Sequence, residues 1–214
     1  MPFIDYSDLP SVLTDFLRYL DVIKNKSPLT VQEYATDLRT FLRFLKQSRG
    51  LVSAATDFDE INISDIDIAF LRAVSLSDAY AFLSYCKNER HNNATTRSRK
   101  VSSIRGFFKY LTVQRKILDE NPMQELDTPK QKKALPKYLT LDQSISLLEH
   151  IDGKNKERDY CMVTFFLNCG MRLSELVNIN ITDIQDDGTI RIIGKGDKER
   201  LVYLNDACVK ALAR

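Results

Sequence analysis

The sequence lacks the features that mark membrane, secreted and disulfide-rich or zinc-binding proteins. Its 214 residues contain no apolar run that approaches the length needed to span a bilayer. The first residues do not have the basic and then apolar layout of a signal peptide, so we expect a cytoplasmic protein with no membrane partner. The four cysteines are widely spaced and form no C-x-x-C pair, which favours reduced thiols over a disulfide or zinc framework.

Nucleotide-binding and metal-binding motifs are also missing. The two histidines have no partner at metal-ligand spacing. Gly188 and Gly194 are separated by five residues, where a phosphate-binding loop has four, and Gly196 stands where that loop needs serine or threonine. The acidic pair Asp186–Asp187 is typical of a turn rather than of a magnesium site. We therefore expect a mechanism that uses no metal and no cofactor.

Basic residues are concentrated in one segment, which the net charge of +2 conceals. Residues 87–116 contain nine basic residues and one acidic residue, a net charge of +8, whereas the segments 1–86 and 117–214 carry −4 and −2. Charge concentrated in this way is a candidate surface for a polyanion such as nucleic acid. A solvated helix face is the alternative interpretation.

Helical periodicity dominates the first half of the chain, where we predict four helices. The predicted segments are 13–20, 30–45, 79–86 and 96–111. The second of these contains a Thr-x-x-Glu capping box that begins at Thr30. Prolines and lysines then indicate a basic linker over 128–137, for which an ordinary flexible tether is the alternative.

Two of the predicted helices carry polar stripes that suit a nucleic-acid backbone. On the helix over 96–111, small and basic residues recur at steps of three and four, so that the backbone of a duplex can approach closely. The helix over 30–45 and the residue after it carry a comparable stripe. The predicted DNA-binding residues, with two lysines of the linker, are Arg39, Arg43, Lys46, Arg99, Ser102, Arg105, Lys109, Lys132 and Lys133. Stripes that merely face solvent are the alternative.

The second half of the chain predicts a mixed domain of helices and one β-hairpin. Thr140 begins another capping box, Gly170 suits a left-handed helix end, and Asn205 can cap a last helix. Branched residues on both sides of a glycine-containing tip predict the hairpin. The predicted segments are helices over 158–168 and 171–179 and strands over 189–193 and 200–204. The predicted fold class is therefore mainly α, with a helical domain followed by part of an α+β domain.

Two cations in this second half suit chemistry at a phosphate. Arg172 follows the helix break at Gly170, and a guanidinium is planar, permanently charged and matched to phosphate oxygens. Glu175 can hold that guanidinium in place, although an ordinary structural Arg-Glu pair is the alternative. Lys195 lies between two glycines at the hairpin tip, where it can give a proton to a leaving alkoxide. A solvated turn lysine is the alternative for this residue.

Three segments jointly resemble the tyrosine recombinases of the Xer and phage-integrase type. They are 169–176 (CGMRLSEL), 193–200 (IGKGDKER) and 104–111 (IRGFFKYL). The resemblance covers nearly the whole chain and implies a two-domain clamp around duplex DNA. The implied parts are a four-helix, SAM-like core-binding domain at 5–117, a basic linker at 118–136 and the N-terminal half of an α+β catalytic domain with a β-hairpin at 137–214.

The resemblance also implies a reaction and a set of roles. In such enzymes a tyrosine attacks the scissile phosphate and forms a covalent link to DNA, so no metal or cofactor is required. Arg172 matches the first catalytic arginine, which stabilises the phosphate, with Glu175 as a supporting residue. Lys195 matches the hairpin lysine, which helps to protonate the leaving oxygen.

The family's H-x-x-R box and tyrosine nucleophile are expected beyond residue 214. We therefore expect the 214-residue chain to be a monomer that binds duplex DNA without cleaving it, and its parent to assemble as a tetramer on two DNA sites. A non-catalytic DNA-binding module, such as a truncated regulator of recombination, is the alternative function. An unrelated helical scaffold protein is a third.

Overall fold

A computed structural model describes residues 6–53, 55–131, 135–194 and 198–214. The chain divides into two compact units, residues 1–133 (unit 1) and residues 134–214 (unit 2). The helices of unit 1 are α1 (Ser11–Arg18), α2 (Pro28–Ser48), α3 (Ile68–Arg72), α4 (Leu76–Asn88) and α5 (Ala94–Lys109). Those of unit 2 are α6 (Leu141–Glu149), α7 (Lys156–Cys169), α8 (Leu173–Val177) and α9 (Asp206–Leu212), with strands β1 (Thr189–Ile193) and β2 (Glu199–Tyr203).

The start of α2 differs from the predicted capping box at Thr30. The helix begins at Pro28, and the side chain of Ser27 accepts a hydrogen bond from the backbone N–H of Thr30. Proline suits the first helical position because its fixed φ is already helical and its missing N–H has no partner to lose there. The predicted box at Thr30 is therefore wrong, since the Ser-Pro pair before it supplies a better helix start.

The core of unit 1 lies between the four helices that periodicity predicts, α1, α2, α4 and α5. Its largest side chains are fully buried and include Phe16, Phe41, Phe82, Phe107 and Phe108. Burying one such side chain contributes roughly 1.5–3 kcal/mol relative to leaving it exposed. Short π-helical turns, Tyr19–Ile23 and Tyr110–Gln114, follow directly on α1 and α5.

Two parts of unit 1 were not apparent from periodicity. The five-residue helix α3 is too short to show a helical repeat, and the side chain of Asp67 caps it by accepting from the N–H of Phe70. Beyond α5, Leu118, Met123 and Leu126 are buried in the same core. The packed part of unit 1 thus extends into the segment that the sequence assigns to the linker.

Unit 2 contains the elements predicted for it. Thr140 and Gln143 form the capping box of α6, and the Asn205 side chain caps α9 by accepting from the N–H of Cys208. The two strands pair antiparallel, with Thr189 opposite Tyr203 and Ile193 opposite Glu199. This register leaves a five-residue connection, 194–198, as the hairpin tip.

The core of unit 2 is smaller than that of unit 1. Helix α7 packs against α9, and the inner face of the hairpin covers the remaining side of the cluster. The buried members are Phe165, Met171, Leu176, Ile190, Ile192 and Cys208. A helical unit followed by a unit of helices and one hairpin confirms the predicted fold class.

Candidate active site and nucleic-acid interface

The break between α7 and α8 positions Arg172. Helix α7 ends at Cys169, and Gly170 adopts the left-handed conformation with φ 58°. Glycine adopts this conformation without the steric cost that a Cβ atom brings, so the predicted helix end at Gly170 is confirmed. The chain then turns, and Arg172 becomes the N-cap residue of α8 with extended backbone angles.

Glu175 holds Arg172 by both its backbone and its side chain. One carboxylate oxygen, Oε2, accepts from the backbone N–H of Arg172 at 2.9 Å, and the other, Oε1, accepts from Arg172 Nη1 at 2.7 Å. The Glu175 side chain is only 2% exposed, whereas the Arg172 side chain is 70% exposed. The carboxylate therefore anchors one edge of a guanidinium that otherwise faces solvent.

A second arginine, Arg200 on β2, shares the same carboxylate. Its Nη2 donates to Glu175 Oε2 at 2.9 Å. The pKa of Glu175 is lowered to about 2, first because its carboxylate accepts the hydrogen bond from the Arg172 backbone, and further because both guanidinium groups donate to it. We refer to Arg172, Glu175 and Arg200 as the Glu175 cluster.

The hairpin approaches this cluster through Gly194. The backbone N–H of Gly194 donates to the carbonyl of Lys198 at 2.8 Å, which closes the base of the tip. A Cβ atom on Gly194 would lie 3.1 Å from Glu175 Oε1 and 3.9 Å from Arg172 Nη1. Glycine therefore permits the strand to pass close to the carboxylate. The predicted catalytic Lys195 comes next in the sequence and lies outside the described residues.

Sequence analysis assigned no role to Arg200. A signal was available in the alternation of β2, because Arg200 and Val202 share the face of the strand that contacts the core, opposite Ile192 and Ile190. A cation that loses part of its hydration at such a position is stabilised by a carboxylate partner, and the Arg200 side chain is 45% exposed. Only the fold identifies that partner as Glu175, which lies 25 residues earlier.

The predicted DNA-binding residues on α2 are engaged within unit 1. Arg39 Nε donates to Asp8 at 2.7 Å, and Arg43 donates to the carbonyl of Ile61 at 3.1 Å. Lys46 Nζ lies 2.8 Å from both carboxylate oxygens of Asp65. Its side chain is 9% exposed. These three cations therefore tie α2 to neighbouring segments of unit 1.

Arg99 on α5 belongs to an ion cluster around the buried carboxylate of Asp37. Arg99 Nη1 lies 2.6 Å from Asp37 Oδ2, and Lys100 Nζ lies 2.9 Å from Asp37 Oδ1. The hydroxyl of Ser103 donates to Asp37 at 2.9 Å, and Glu33 provides Arg99 with a second carboxylate at 2.6 Å. We refer to Asp37 with Arg99, Lys100 and Ser103 as the Asp37 cluster. It links α2 to α5.

Three of the predicted DNA-binding residues remain on an open face of α5. Ser102, Arg105 and Lys109 are exposed, at steps of three and four along the helix. Within the described ranges, neither Arg105 nor Lys109 forms an ion pair. Both line a cavity that is also lined by acidic residues of the segment 119–125. The predicted contacts Lys132 and Lys133 lie outside the described residues.

The part of the chain that the structure describes contains no cluster of three or more potential metal-ligating side chains of His, Cys, Asp and Glu. The cysteines are present as free thiols, and Cys169 Sγ lies 3.7 Å from Cys208 Sγ. Burial raises the pKa of the Cys169 thiol to about 12, with a further contribution from its contact with Cys208. No helix among the described residues is long and apolar enough to cross a membrane.

Two family profiles match the chain in the same order as the two units. The N-terminal SAM-like domain of phage integrases matches residues 13–115, and the phage integrase family matches residues 137–214. The tyrosine recombinase XerC of Caldanaerobacter subterraneus subsp. tengcongensis is 50% identical over 213 residues, which are 100% of this chain and 60% of that protein. The tyrosine recombinase XerD of Listeria monocytogenes serotype 4b is 31% identical over 95% of this chain and 63% of its own length. The chain thus spans about 60% of the length of these relatives.

Solved structures support the fold. A XerH site-specific recombinase bound to its palindromic difH substrate is similar with a TM-score of 0.64 and 22% identity, over 94% of this chain and 55% of that one. A lambda integrase tetramer bound to a Holliday junction gives a TM-score of 0.65 and 15% identity, over 95% of this chain and 55% of that one. At these identities the likeness concerns the fold alone.

Proposed function

The chain belongs to the phage-integrase family of tyrosine recombinases, and we propose that the whole protein cuts and rejoins duplex DNA at specific sites. In this reaction a tyrosine attacks the scissile phosphate and becomes linked to it, and the DNA oxygen on the other side of the phosphorus leaves. The observation that carries the proposal is the exposed guanidinium of Arg172, which a buried carboxylate holds at a helix break.

Arg172 acts, in this proposal, on the non-bridging oxygens of the scissile phosphate. The attack places five oxygens around phosphorus and adds negative charge to the non-bridging pair. A guanidinium that is already oriented stabilises this charge without reorganising when the reaction occurs. Glu175 supplies the orientation, because it fixes both the Arg172 backbone N–H and one edge of the guanidinium.

Lys195 is the proposed proton donor to the leaving oxygen. The support for this role is the close passage of Gly194, the residue before it, beside the Arg172 and Glu175 side chains. Attack and departure occur on opposite sides of the same phosphorus, so the two cations must serve one phosphate. Residues 137–214 then contribute to the catalytic domain, and none of these steps requires a metal or a cofactor.

Residues 5–117 form the proposed core-binding domain, joined to the catalytic part through the linker 118–136, whose first part packs into the core of unit 1. We assign the main contacts with the DNA backbone to Ser102, Arg105 and Lys109, because their side chains are exposed on one face of α5. The remaining proposed contacts contribute less to DNA binding. Those that lie within the described residues are engaged in hydrogen bonds and ion pairs within unit 1. The remaining contacts are Arg39, Arg43, Lys46 and Arg99 on the helices and Lys132 and Lys133 in the linker.

The proposal extends to the oligomeric state and the cellular location of the protein. The whole protein acts in the cytoplasm as a tetramer on two DNA sites, whereas the 214-residue chain is a monomer that binds duplex DNA. Sedimentation of the chain with and without duplex DNA tests the second statement. A stable dimer or tetramer of the DNA-free chain would contradict it.

The cleavage step is tested with the whole protein and a nicked duplex that traps the covalent adduct. We expect Arg172→Ala to lower the cleavage rate by about 100- to 1,000-fold, as removal of one stabilising donor does in other enzymes, with unchanged DNA affinity. Arg158→Ala is the matched control, because Arg158 is an exposed arginine of unit 2 that pairs only with the adjacent Asp159 among the described residues. Absence of any adduct with the unaltered protein would favour the non-catalytic DNA-binding alternative.

A further inference from the structure

Arg200 occupies a position on β2 where the strand pattern calls for an apolar side chain. It lies opposite Ile192 in the register, and two residues later Val202 packs against the core of unit 2. The residues that alternate with them, Leu201 and Tyr203, are exposed. The Arg200 side chain is 45% exposed, so it loses only part of its hydration on this face, and a carboxylate partner offsets that partial cost.

The partner of Arg200 is the carboxylate that also holds Arg172. Arg200 Nη2 and the Arg172 backbone N–H both donate to Glu175 Oε2, each at 2.9 Å. The other oxygen, Oε1, accepts from Arg172 Nη1 at 2.7 Å. Arg200 thus donates to the carboxylate oxygen that does not accept from the Arg172 guanidinium. A small rotation of the carboxylate would lengthen the hydrogen bond to one of the two arginines.

The charge of the cluster supports a functional reason for this arrangement. Arg172 and Glu175 alone would sum to zero, so an approaching phosphate would meet a neutral pair. With Arg200 the cluster carries +1, while Arg172 retains its anchor. The Glu175 side chain is 2% exposed, so water screens its attraction to the two guanidinium groups less than it screens a pair on the open surface.

We infer that Arg200 is a positioning residue for the strand-cleavage reaction. It fixes the Glu175 carboxylate in the orientation that holds Arg172, and it leaves the cluster with the net positive charge that a phosphate requires. This inference rests on the proposed function. It assigns Arg200 no contact with DNA.

The test is single-turnover cleavage of a nicked duplex by the whole protein carrying Arg200→Met. Methionine suits the inner face of a strand beside Val202, and Glu175 keeps its two hydrogen bonds from Arg172, so we expect the variant to fold, with a lower free energy of unfolding because one partner of the buried carboxylate is lost. We expect the cleavage rate to fall roughly 100-fold, as a small misplacement of a reacting group can cause, with unchanged DNA affinity. Arg200→Lys keeps the positive charge but lacks the planar guanidinium. Its cleavage rate should lie between that of the unaltered protein and that of Arg200→Met.

Arg191→Met is the matched control. Arg191 lies on the paired strand β1 and donates to Asp183 at 3.2 Å, and its side chain is 46% exposed, compared with 45% for Arg200. The cleavage rate of Arg191→Met should equal that of the unaltered protein. A wild-type rate for folded Arg200→Met, or an equal loss for Arg191→Met, overturns the inference while leaving the proposed function in place. If the unaltered protein forms no adduct, the proposed function fails and the inference fails with it. If Arg200→Met does not fold, an undiminished rate for Arg200→Lys overturns the inference.

Discussion

Asp37 in unit 1 and Glu175 in unit 2 are both buried carboxylates that bind two cations each. Asp37 binds Arg99 and Lys100, and Glu175 binds Arg172 and Arg200. The clusters differ in where the cations lie. The Lys100 side chain is 9% exposed, whereas that of Arg172 is 70% exposed.

Under the proposed function, this difference separates a structural use of a buried carboxylate from a functional one. In the Asp37 cluster the donors come from α5 and the acceptor from α2, so the interaction fixes two helices against each other. In the Glu175 cluster the carboxylate fixes one edge of an arginine and leaves its other edge open to solvent. The contrast lies in Lys100 and Arg172, since Arg99 and Arg200 are similarly exposed, at 37% and 45%. In the proposed function, the open edge of Arg172 is the part that serves a ligand.

The largest effect is expected for Asp37→Asn, which removes the charge and leaves Lys100 as a buried cation without its counter-ion. Breaking a buried pair from one side costs about 3–5 kcal/mol in the free energy of unfolding. Urea denaturation of the chain measures it. Asp15→Asn is the control, because Asp15 and its partner Arg115 are both substantially exposed and such a pair contributes about 1 kcal/mol or less. Equal losses would show that burial does not distinguish the two pairs.

Glu175→Gln tests the other side of the comparison. We expect a smaller loss of stability than for Asp37→Asn, because Arg172 and Arg200 are exposed enough to be solvated when their partner is neutral. The cleavage rate of the whole protein should fall roughly 100-fold, because Arg172 is no longer held in one orientation. Asp183→Asn is the control, since Asp183 also binds an arginine of the hairpin and a backbone N–H. A loss of stability without a loss of rate would contradict the functional assignment.

Acid should weaken the Glu175 cluster over a defined range of pH. The folded-state pKa of Glu175 is about 2, below its ordinary value of 4.5, so its stabilising contribution is present above about pH 4.5 and is lost as the pH falls towards 2. Denaturation of the chain and of Glu175→Gln at several pH values isolates this contribution. The difference between their free energies of unfolding should shrink between pH 4.5 and 2. A difference that stays constant over this range would be inconsistent with the contacts of Glu175.

The smallest effects concern the cations of unit 1. Arg105→Gln and Lys109→Gln should each reduce the slope of log affinity for duplex DNA against log salt by about 0.9, because each removes one phosphate contact. Arg43→Gln should leave that slope nearly unchanged and should instead lower stability, because Arg43 donates to the carbonyl of Ile61. Fluorescence titrations at several salt concentrations measure the slopes. An equal change for all three variants would remove the distinction between open and paired cations.

Local chemistry explains which elements could be predicted. Helix ends are set by residues only a few positions away, so they follow from the adjacent sequence. Examples are the capping box at Thr140, the helix end at Gly170 and the cap at Asn205. The hairpin follows from branched residues on both sides of a glycine tip. The start of α2 was wrong by two residues because two local signals competed, and the Ser27–Pro28 pair prevailed over Thr30.

The polar stripe of α2 shows a property that helical periodicity does not predict, namely which cations are paired. Arg39, Arg43 and Lys46 recur at helical spacing and look like an open basic face. Their partners Asp8, Asp59 and Asp65 lie 31, 16 and 19 residues away in the chain. A helical repeat specifies a shared face but not what the fold places against it.

The sequence by itself determined the longer helices, the hairpin, the family and the two candidate cations Arg172 and Lys195, because these depend on short-range hydrogen bonding, side-chain periodicity and motif spacing. Only the tertiary structure decided which cations are open and which are paired. It joined Arg200 to Glu175 across 25 residues, and it enclosed Asp37 between two helices. Burial and ion pairing depend on contacts between distant segments, which no local pattern specifies.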